Sequence, residues 1–196
     1  MMWRLPFVPK KLGYQVSTRR GSGPLEASFR ALPASQMPSG VRAERLLDAP
    51  LELLVGPAHP LAGKGEVQPT DLADHRLWIP GISPGTEWEL FYQSLSQDFG
   101  MSIDSLGPNF GDEALMDALA ESSSLATLVG TGDRYLWPEN YGLRRVPLRG
   151  PTPVYPHMLL TRAGHQNPVL TELRDFLQAS RPQVDDEVWV PGWVTY

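Results

Sequence analysis

The sequence predicts an α/β domain folded into two lobes. Short apolar runs alternate with stretches of helical periodicity, which is typical of strands covered by helices. Two proline-rich stretches, at residues 57–69 and 147–156, divide the chain. The segment between them can form one lobe, and the flanking parts must combine into the other. A chain that leaves one lobe and returns to it has two hinges and a cleft, where small ligands usually bind.

Apolar runs that are too short for helices predict the strands. Several of them have no polar alternation, which is typical of strands buried on both faces. Because these runs alternate with helical stretches, we expect a largely parallel sheet with covering helices. The predicted strands are residues 51–56, 76–79, 125–130 and 154–160.

Three stretches predict helices, each with an apolar face. Thr86 and Glu89 have the spacing of a capping box, and Asn167 precedes a proline in the manner of an N-cap. These signals favour helix starts at both places. The residues expected to share a face are Trp88, Phe91, Tyr92, Leu95 and Phe99 in the first helix, Leu115, Met116 and Leu119 in the second, and Val169, Leu170, Leu173, Phe176 and Leu177 in the third.

The composition excludes several classes of protein. The 196 residues include no cysteine, which excludes disulfides, thiolate zinc sites and thiol catalysis. The four histidines show no metal-ligand spacing, so we predict no metal and no cofactor. No run reaches the roughly 18 apolar residues of a membrane span, and residues 1–14 lack a signal-peptide pattern. We therefore expect a cytoplasmic protein that does not bind membranes.

The charge distribution disfavours nucleic acid as a partner. The net charge is −5, although residues 1–30 hold six basic residues and one acidic residue. The rest of the chain is strongly acidic and would repel phosphates. The basic arm, with Lys10, Lys11, Arg19 and Arg20, is expected to be a solvated or packed terminal segment rather than a phosphate contact. We expect no direct contact with nucleic acid.

Four segments of the chain carry recognisable motifs. They are the strand-like residues 27–33, the His-Pro-Leu-Ala of residues 51–62, the Asp-Leu-Ala turn and strand of residues 67–79, and the last strand with its helix at 168–179. In this order, the four segments resemble the effector-binding domain of LysR-type transcriptional regulators. The resemblance covers about residues 25–180. It implies two Rossmann-like lobes of the periplasmic-binding-protein type II kind, a cleft for a small effector, and side-by-side dimerisation.

The resemblance also implies the domain boundaries. The first lobe looks incomplete, one strand–helix unit short, and residues 3–8 and 13–17 compete to be its opening strand. No segment resembles the winged helix-turn-helix of such regulators, so we expect no DNA-binding domain in this chain. The expected division is residues 1–57 plus 154–180 for lobe I, 62–148 for lobe II, 58–61 and 149–153 for the hinges, and 181–196 for an aromatic tail.

Two strand-to-helix loops are the first candidates for ligand binding. Residues 80–86 and 109–112 each precede a predicted helix, whose N-terminus attracts anions. The alternative is that these residues only cap helices. The candidates from the loops are Ser83, Gly85, Thr86, Asn109, Phe110, Gly111 and Asp112.

Arg30 and Thr131 complete the predicted ligand-binding set. A buried guanidinium at the end of a strand needs a carboxylate, either from the protein or from a ligand. Thr131 ends the predicted strand 125–130 and lines the cleft, unless it only forms a turn. His59, in the first hinge, is expected to be structural.

Residues 81–85 also fit the G-x-S-x-G pattern of a hydrolase nucleophile elbow, with Ser83 as the nucleophile. That elbow takes an oxyanion-hole donor from the N–H of the residue after the serine. Here that residue is Pro84, which has no N–H. Asp133 and His157 or His165 keep the Ser, Asp, His order, yet we predict that the chain is not an enzyme.

The predicted function is effector sensing: a small, anionic metabolite closes the lobes and changes the geometry of a homodimer. The alternative is an interaction protein that pairs with itself or with a full-length regulator through the incomplete first lobe and the tail. The tail, with Trp189 and Trp193, either packs back on the domain or forms a partner surface.

Overall fold

The computed structural model describes residues 27–106, 112–131, 141–164, 167–179 and 186–194. Within them the chain alternates strands and helices. The strands are Ala27–Arg30 (β1), Val41–Val55 (β2), Arg76–Trp78 (β3), Ser102–Asp104 (β4), Leu125–Gly130 (β5), Arg144–Pro147 (β6), Thr152–Arg162 (β7) and Val188–Trp189 (β8). The helices are Glu87–Phe99 (α1), Asp112–Glu121 (α2) and Pro168–Ala179 (α3).

Strand β2 runs through both lobes. Its residues 41–50 pair antiparallel with β7, and β1 lies on the other side of β7. Its residues 51–55 pair antiparallel with β5 and β6, and β3 and β4 continue the sheet beyond β5. The change of partner falls between Pro50 and Leu51, several residues before the turn at 58–61. The outgoing and returning strands therefore lie side by side and join the two lobes.

The expected largely parallel sheet is wrong for the described strands. The pairs β1–β7, β2–β5, β2–β6 and β2–β7 are antiparallel, whereas β3 is parallel to β4 and β5. The reason is the double crossing, because a strand that leaves a lobe and one that returns run in opposite directions. Among the described strands, β3–β4 and β3–β5, around α1 and α2, keep the parallel arrangement that helical crossovers require, and the short β8 is parallel to β7.

The predicted helix starts are confirmed. Thr86 caps α1, and its Oγ1 accepts the Glu89 N–H at 3.3 Å. The Glu89 carboxylate reaches back to the Gly85 N–H at 2.6 Å. The Asn167 Oδ1 accepts the Val169 N–H at 2.9 Å, and α3 begins at the proline that follows it. Each cap satisfies backbone donors that the helix itself leaves free.

The largest core cluster lies in the second lobe, between its sheet and α1. Leu53 of β2, Leu77 of β3 and the α1 residues Phe91 and Leu95 are fully buried there. A second cluster packs α2 against the other face of the sheet, with Leu119 at its centre. This sandwich fixes where α1 begins, and so positions the loop between β3 and α1.

The face predicted for α3 is only partly correct. Leu177 is buried against Leu46 and Leu159, with Leu173 beside it. Val169 and Phe176, predicted to lie on the same face, are 68% and 61% exposed. Leu173 and Leu177 are four residues apart, and both face the sheet. Val169 and Phe176 are seven residues apart and form a neighbouring stripe that the sheet does not cover.

The described part of the tail packs back on the domain, as the first alternative for it predicted. The Trp189 Nε1 donates to the Asp98 carboxylate at 2.9 Å, and the Trp193 Nε1 donates to the Ser94 hydroxyl at 3.3 Å. Both acceptors lie on α1. Strand β8 adds to the start of β7 in parallel. In the described part of the chain, no helix has the length and hydropathy to cross a bilayer.

Candidate functional site

Several predicted residues lie at one edge of the second-lobe sheet. Strands β3 and β5 are parallel, so their carboxyl ends share this edge, and β2 enters from the first lobe beside β5. Thr131 follows β5, and its N–H and hydroxyl both donate to the Pro50 carbonyl, at 2.8 and 2.9 Å. The loop with Ser83, Gly85 and Thr86 follows β3. This edge faces the first lobe.

Arg30, at the end of β1 in the first lobe, meets a carboxylate of the second lobe. Its Nε donates to one Glu87 oxygen at 3.2 Å and its terminal nitrogen to the other at 2.8 Å. The side chains are 23% and 13% exposed. Hydrogen bonding to Glu87 raises the pKa of the Arg30 guanidinium against the opposing effect of burial. The carboxylate that the sequence predicted for Arg30 thus comes from the protein in this structure.

Stacked aromatic rings lie next to this ion pair. The Trp88 ring stacks on Tyr155 of β7, with centroids 4.3 Å apart and planes 12° apart. Phe91 packs its ring edge-on against Tyr155 at 4.9 Å. Burial, with the nearby Glu87 charge, raises the pKa of the Tyr155 phenol well above its ordinary value, so the phenol stays neutral. The α1 start and the returning strand are therefore held in register by aromatic contact.

The loop before α1 already uses its polar groups internally. Gly85, at φ +75°, adopts a left-handed conformation that favours glycine, and its N–H is bonded to Glu89. The Thr86 hydroxyl donates to the Ser83 carbonyl at 2.6 Å. Glu87 and Glu89 occupy the first helical turn, where negative charge is favoured. In this conformation the protein's own carboxylates fill the role that the sequence suggested for a bound anion.

The second predicted loop lies largely outside the described residues. Asn109, Phe110 and Gly111 are not described, and Asp112 is described only as the first residue of α2. Among the described residues, no three His, Asp or Glu side chains are grouped so that they could hold a metal ion.

The hydrolase pattern lies in an exposed loop. Ser83 is separated from the end of β3 by four residues, whereas a nucleophile elbow turns directly from strand to helix. Asp133 and His165, two of its possible partners, fall outside the described residues. His157 of β7 packs edge-on against Tyr155 at 5.2 Å.

His59 is buried in the turn that follows β2, with 3% exposure. Its Nδ1 accepts the Leu61 N–H at 3.2 Å, and its ring lies 5.1 Å from that of His75. The Nε2 atom has no hydrogen-bond partner among the described residues. Burial and the neighbouring His75 lower the pKa of His59.

This histidine is expected to make folding sensitive to mild acid. The unfolded chain protonates His59 near its ordinary pKa of about 6.5 and the folded chain only at lower pH. The stabilisation is therefore complete above about pH 6.5 and is lost as the pH falls. Between pH 7 and 5, the free energy of unfolding in urea should fall more steeply for the wild type than for His59→Asn. The asparagine amide oxygen can still accept the Leu61 N–H. Parallel pH curves would contradict this expectation.

Sequence reasoning missed Glu87, Trp88 as a cleft-side ring, and Tyr155. Glu87 stood inside the capping motif, where a first-turn acid has a sufficient local reason to occur. Tyr155 lay in a predicted strand, and Trp88 on a predicted apolar face. The pairing of Arg30 with a residue 57 positions away has no local signal.

Two α/β lobes joined by two long antiparallel strands are the architecture of the periplasmic-binding-protein-like type II class. The family model for the LysR substrate binding domain matches residues 19–182. The chain belongs to this family and is an effector-binding domain of the LysR type. Domains of this kind bind small-molecule effectors and function as oligomers.

Solved structures of regulatory domains share the fold. The reduced form of the OxyR regulatory domain from Pseudomonas aeruginosa is 19% identical, with a TM-score of 0.61 over 79% of this chain and 73% of that one. The regulatory domain of CcmR from Synechocystis PCC6803, in complex with 2-PG, is 19% identical, with a TM-score of 0.56 over 79% and 73%.

Full-length BenM is 21% identical, with a TM-score of 0.63, and the match covers 80% of this chain and 50% of BenM. No curated protein matches the chain.

Proposed function

We propose that this chain senses a small anionic metabolite in the cleft between its lobes, and that it does so without catalysis. The observation that carries the proposal is the half-buried guanidinium of Arg30, which reaches from the end of β1 to Glu87 at the start of α1 in the second lobe. A guanidinium binds a carboxylate or phosphate through two parallel hydrogen bonds. Beside it, Trp88 is 42% exposed and its ring stacks on the buried Tyr155, so Trp88 offers a flat aromatic surface. The CcmR domain in complex with 2-PG supports small-ligand binding in this fold.

In this proposal, ligand binding is read out through the crossing strands. Because β2 and β7 connect the two lobes, closure must bend the β2–β7 pair. A bulge at residues 45–47 interrupts the register of that pair. Bulges increase local twist, which gives a place for the strands to flex.

A thermal-shift screen against metabolites, with 2-PG and simple carboxylates included, tests the proposal. At a ligand concentration 100-fold above Kd, binding should stabilise the protein by about 2.7 kcal/mol. Arg30→Gln should remove most of this stabilisation. Arg76→Gln is the matched control, because Arg76 lies at the opposite end of β3 and pairs with Asp104. If no compound stabilises the wild type, effector sensing is wrong for this chain.

We further propose that the chain is a homodimer, either as a sensor or as a stand-alone interaction protein. Val169 and Phe176 leave an apolar stripe exposed on α3, and Phe29 is half exposed on the edge strand β1. Such exposed side chains are typical of contact surfaces. Light scattering with and without a stabilising ligand distinguishes the homodimeric sensor from the interaction protein. A dimer whose size no ligand changes favours the interaction protein, and a strict monomer contradicts both.

A further inference from the structure

We propose that Glu87 is a built-in competitor for the effector. In the resting domain its carboxylate occupies Arg30 and joins the lobes on the α1 side, and an effector carboxylate takes its place on the same guanidinium. This inference rests on the proposed function, because it concerns the same cleft. It names the ligand class as a carboxylate and gives Glu87 the role of setting the affinity.

The geometry of the pair is that of a bound carboxylate. Both Glu87 oxygens accept from Arg30, at 2.8 and 3.2 Å, in the fork arrangement that guanidinium and carboxylate adopt. Arg30 ends β1 in the first lobe and Glu87 begins α1 in the second, so the contact spans the cleft. An incoming carboxylate offers Arg30 the same two acceptors, and the exchange costs the guanidinium no hydrogen bond.

Glu87 can leave Arg30 without unfolding its helix. The start of α1 is held by other bonds, the Thr86 hydroxyl to the Glu89 N–H and the Glu89 carboxylate to the Gly85 N–H. The Trp88 ring next to Glu87 is fixed by its stack on Tyr155. A released Glu87 carboxylate still lies at a helix N-terminus, where negative charge is favoured. The helix start is thus rigid while one side chain on it is exchangeable.

The consequence for specificity is that the domain rejects weak anions at rest. Glu87 is tethered beside Arg30, so its effective concentration exceeds that of a dilute free carboxylate. An effector must therefore add contacts elsewhere in the cleft to displace it. A ligand without an anionic group that can accept both Arg30 hydrogen bonds cannot replace the Glu87 carboxylate.

Acetate binding to Glu87→Gln tests the exchange. Acetate affinity is measured by calorimetric titration against sodium chloride at equal ionic strength. We expect Glu87→Gln to bind acetate at least ten-fold more tightly than the wild type, because the neutral amide does not compete with acetate for Arg30 as the Glu87 carboxylate does. The double variant Arg30→Gln/Glu87→Gln should lose the gain. Glu87→Asp, whose carboxylate is one methylene shorter, should fall in between, and it decides the matter if the glutamine variant does not fold.

Glu52→Gln is the matched control, since Glu52 accepts from a single Arg145 nitrogen at 3.0 Å within the second lobe, and that nitrogen also donates to the Gly130 carbonyl at 3.2 Å. It should bind acetate as weakly as the wild type does. The proposal is overturned if Glu87→Gln shows no gain, or if Glu52→Gln gains as much. If Glu87→Gln binds acetate more tightly but no metabolite stabilises the wild type, the competition by Glu87 stands and effector sensing is wrong. If a metabolite stabilises the wild type but Glu87→Gln gains no acetate affinity, effector sensing stands and the competition is wrong.

Discussion

Replacing Gly56 with alanine is expected to lower the free energy of unfolding by about 3 kcal/mol. Gly56 is buried directly after β2, and a methyl group there would overlap the carbonyl oxygen of Leu119 near the end of α2. It would also lie 3.1 Å from the Ser122 carbonyl oxygen. Both obstacles are backbone atoms, which cannot rotate away as a side chain can. The loss is therefore expected to be large, and urea unfolding measures it.

Gly63→Ala is the control for this substitution. A methyl group at Gly63 meets nothing within 4 Å, and the residue lies in the same connection between β2 and β3. Its effect should stay within about 0.5 kcal/mol. Equal stabilities of the two variants would show that β2 and α2 can separate at no cost, contrary to the close packing described above.

Leu95→Ala is expected to lower the free energy of unfolding by about 2–5 kcal/mol, because it opens a cavity in the main core. Leu95 is fully buried in α1, one turn after Phe91 and in the cluster that holds β2, β3 and the tail. The loss should appear as a lower midpoint in urea with an unchanged slope. Denaturation followed by tryptophan fluorescence provides the measurement.

The matched substitution is Leu106→Ala, since Leu106 is 81% exposed after β4. Its backbone carbonyl accepts from the Trp78 Nε1 at 2.8 Å and its N–H donates to the Asp104 carboxylate at 2.9 Å, and alanine keeps both backbone groups. We expect this substitution to lower the free energy of unfolding by less than about 0.5 kcal/mol. If Leu106→Ala costs as much as Leu95→Ala, the core assignment around α1 is wrong.

The parts of the fold that were predictable carry local signals. The helix α1 has a cap and a clear apolar face, and β5 is an apolar run with one polar residue, Thr127. By contrast, β6 begins with two arginines, and the first half of β2 contains charged residues along its length. Such strands are recognised by their partners in the sheet rather than by their own composition. That also explains why the antiparallel crossing pair escaped prediction.

The candidate site was predictable only in outline. Placing Arg30, Thr86 and Thr131 near a cleft follows from strand ends and loop positions. Which carboxylate Arg30 would meet does not, because an ion pair between distant residues depends on how two lobes are set against each other. The stack of Trp88 on Tyr155 was unpredictable for the same reason, because the local sequence around each residue indicates only a core position.

The C-terminal tail connects the two lobes in addition to strands β2 and β7. Helix α3 packs on the first lobe, yet Trp189 and Trp193, which follow it, are bonded to α1 of the second. The β2–β7 pair is therefore not the sole connection among the described residues. The residues that follow α3 also attach to the second lobe, at the end of α1 opposite Glu87.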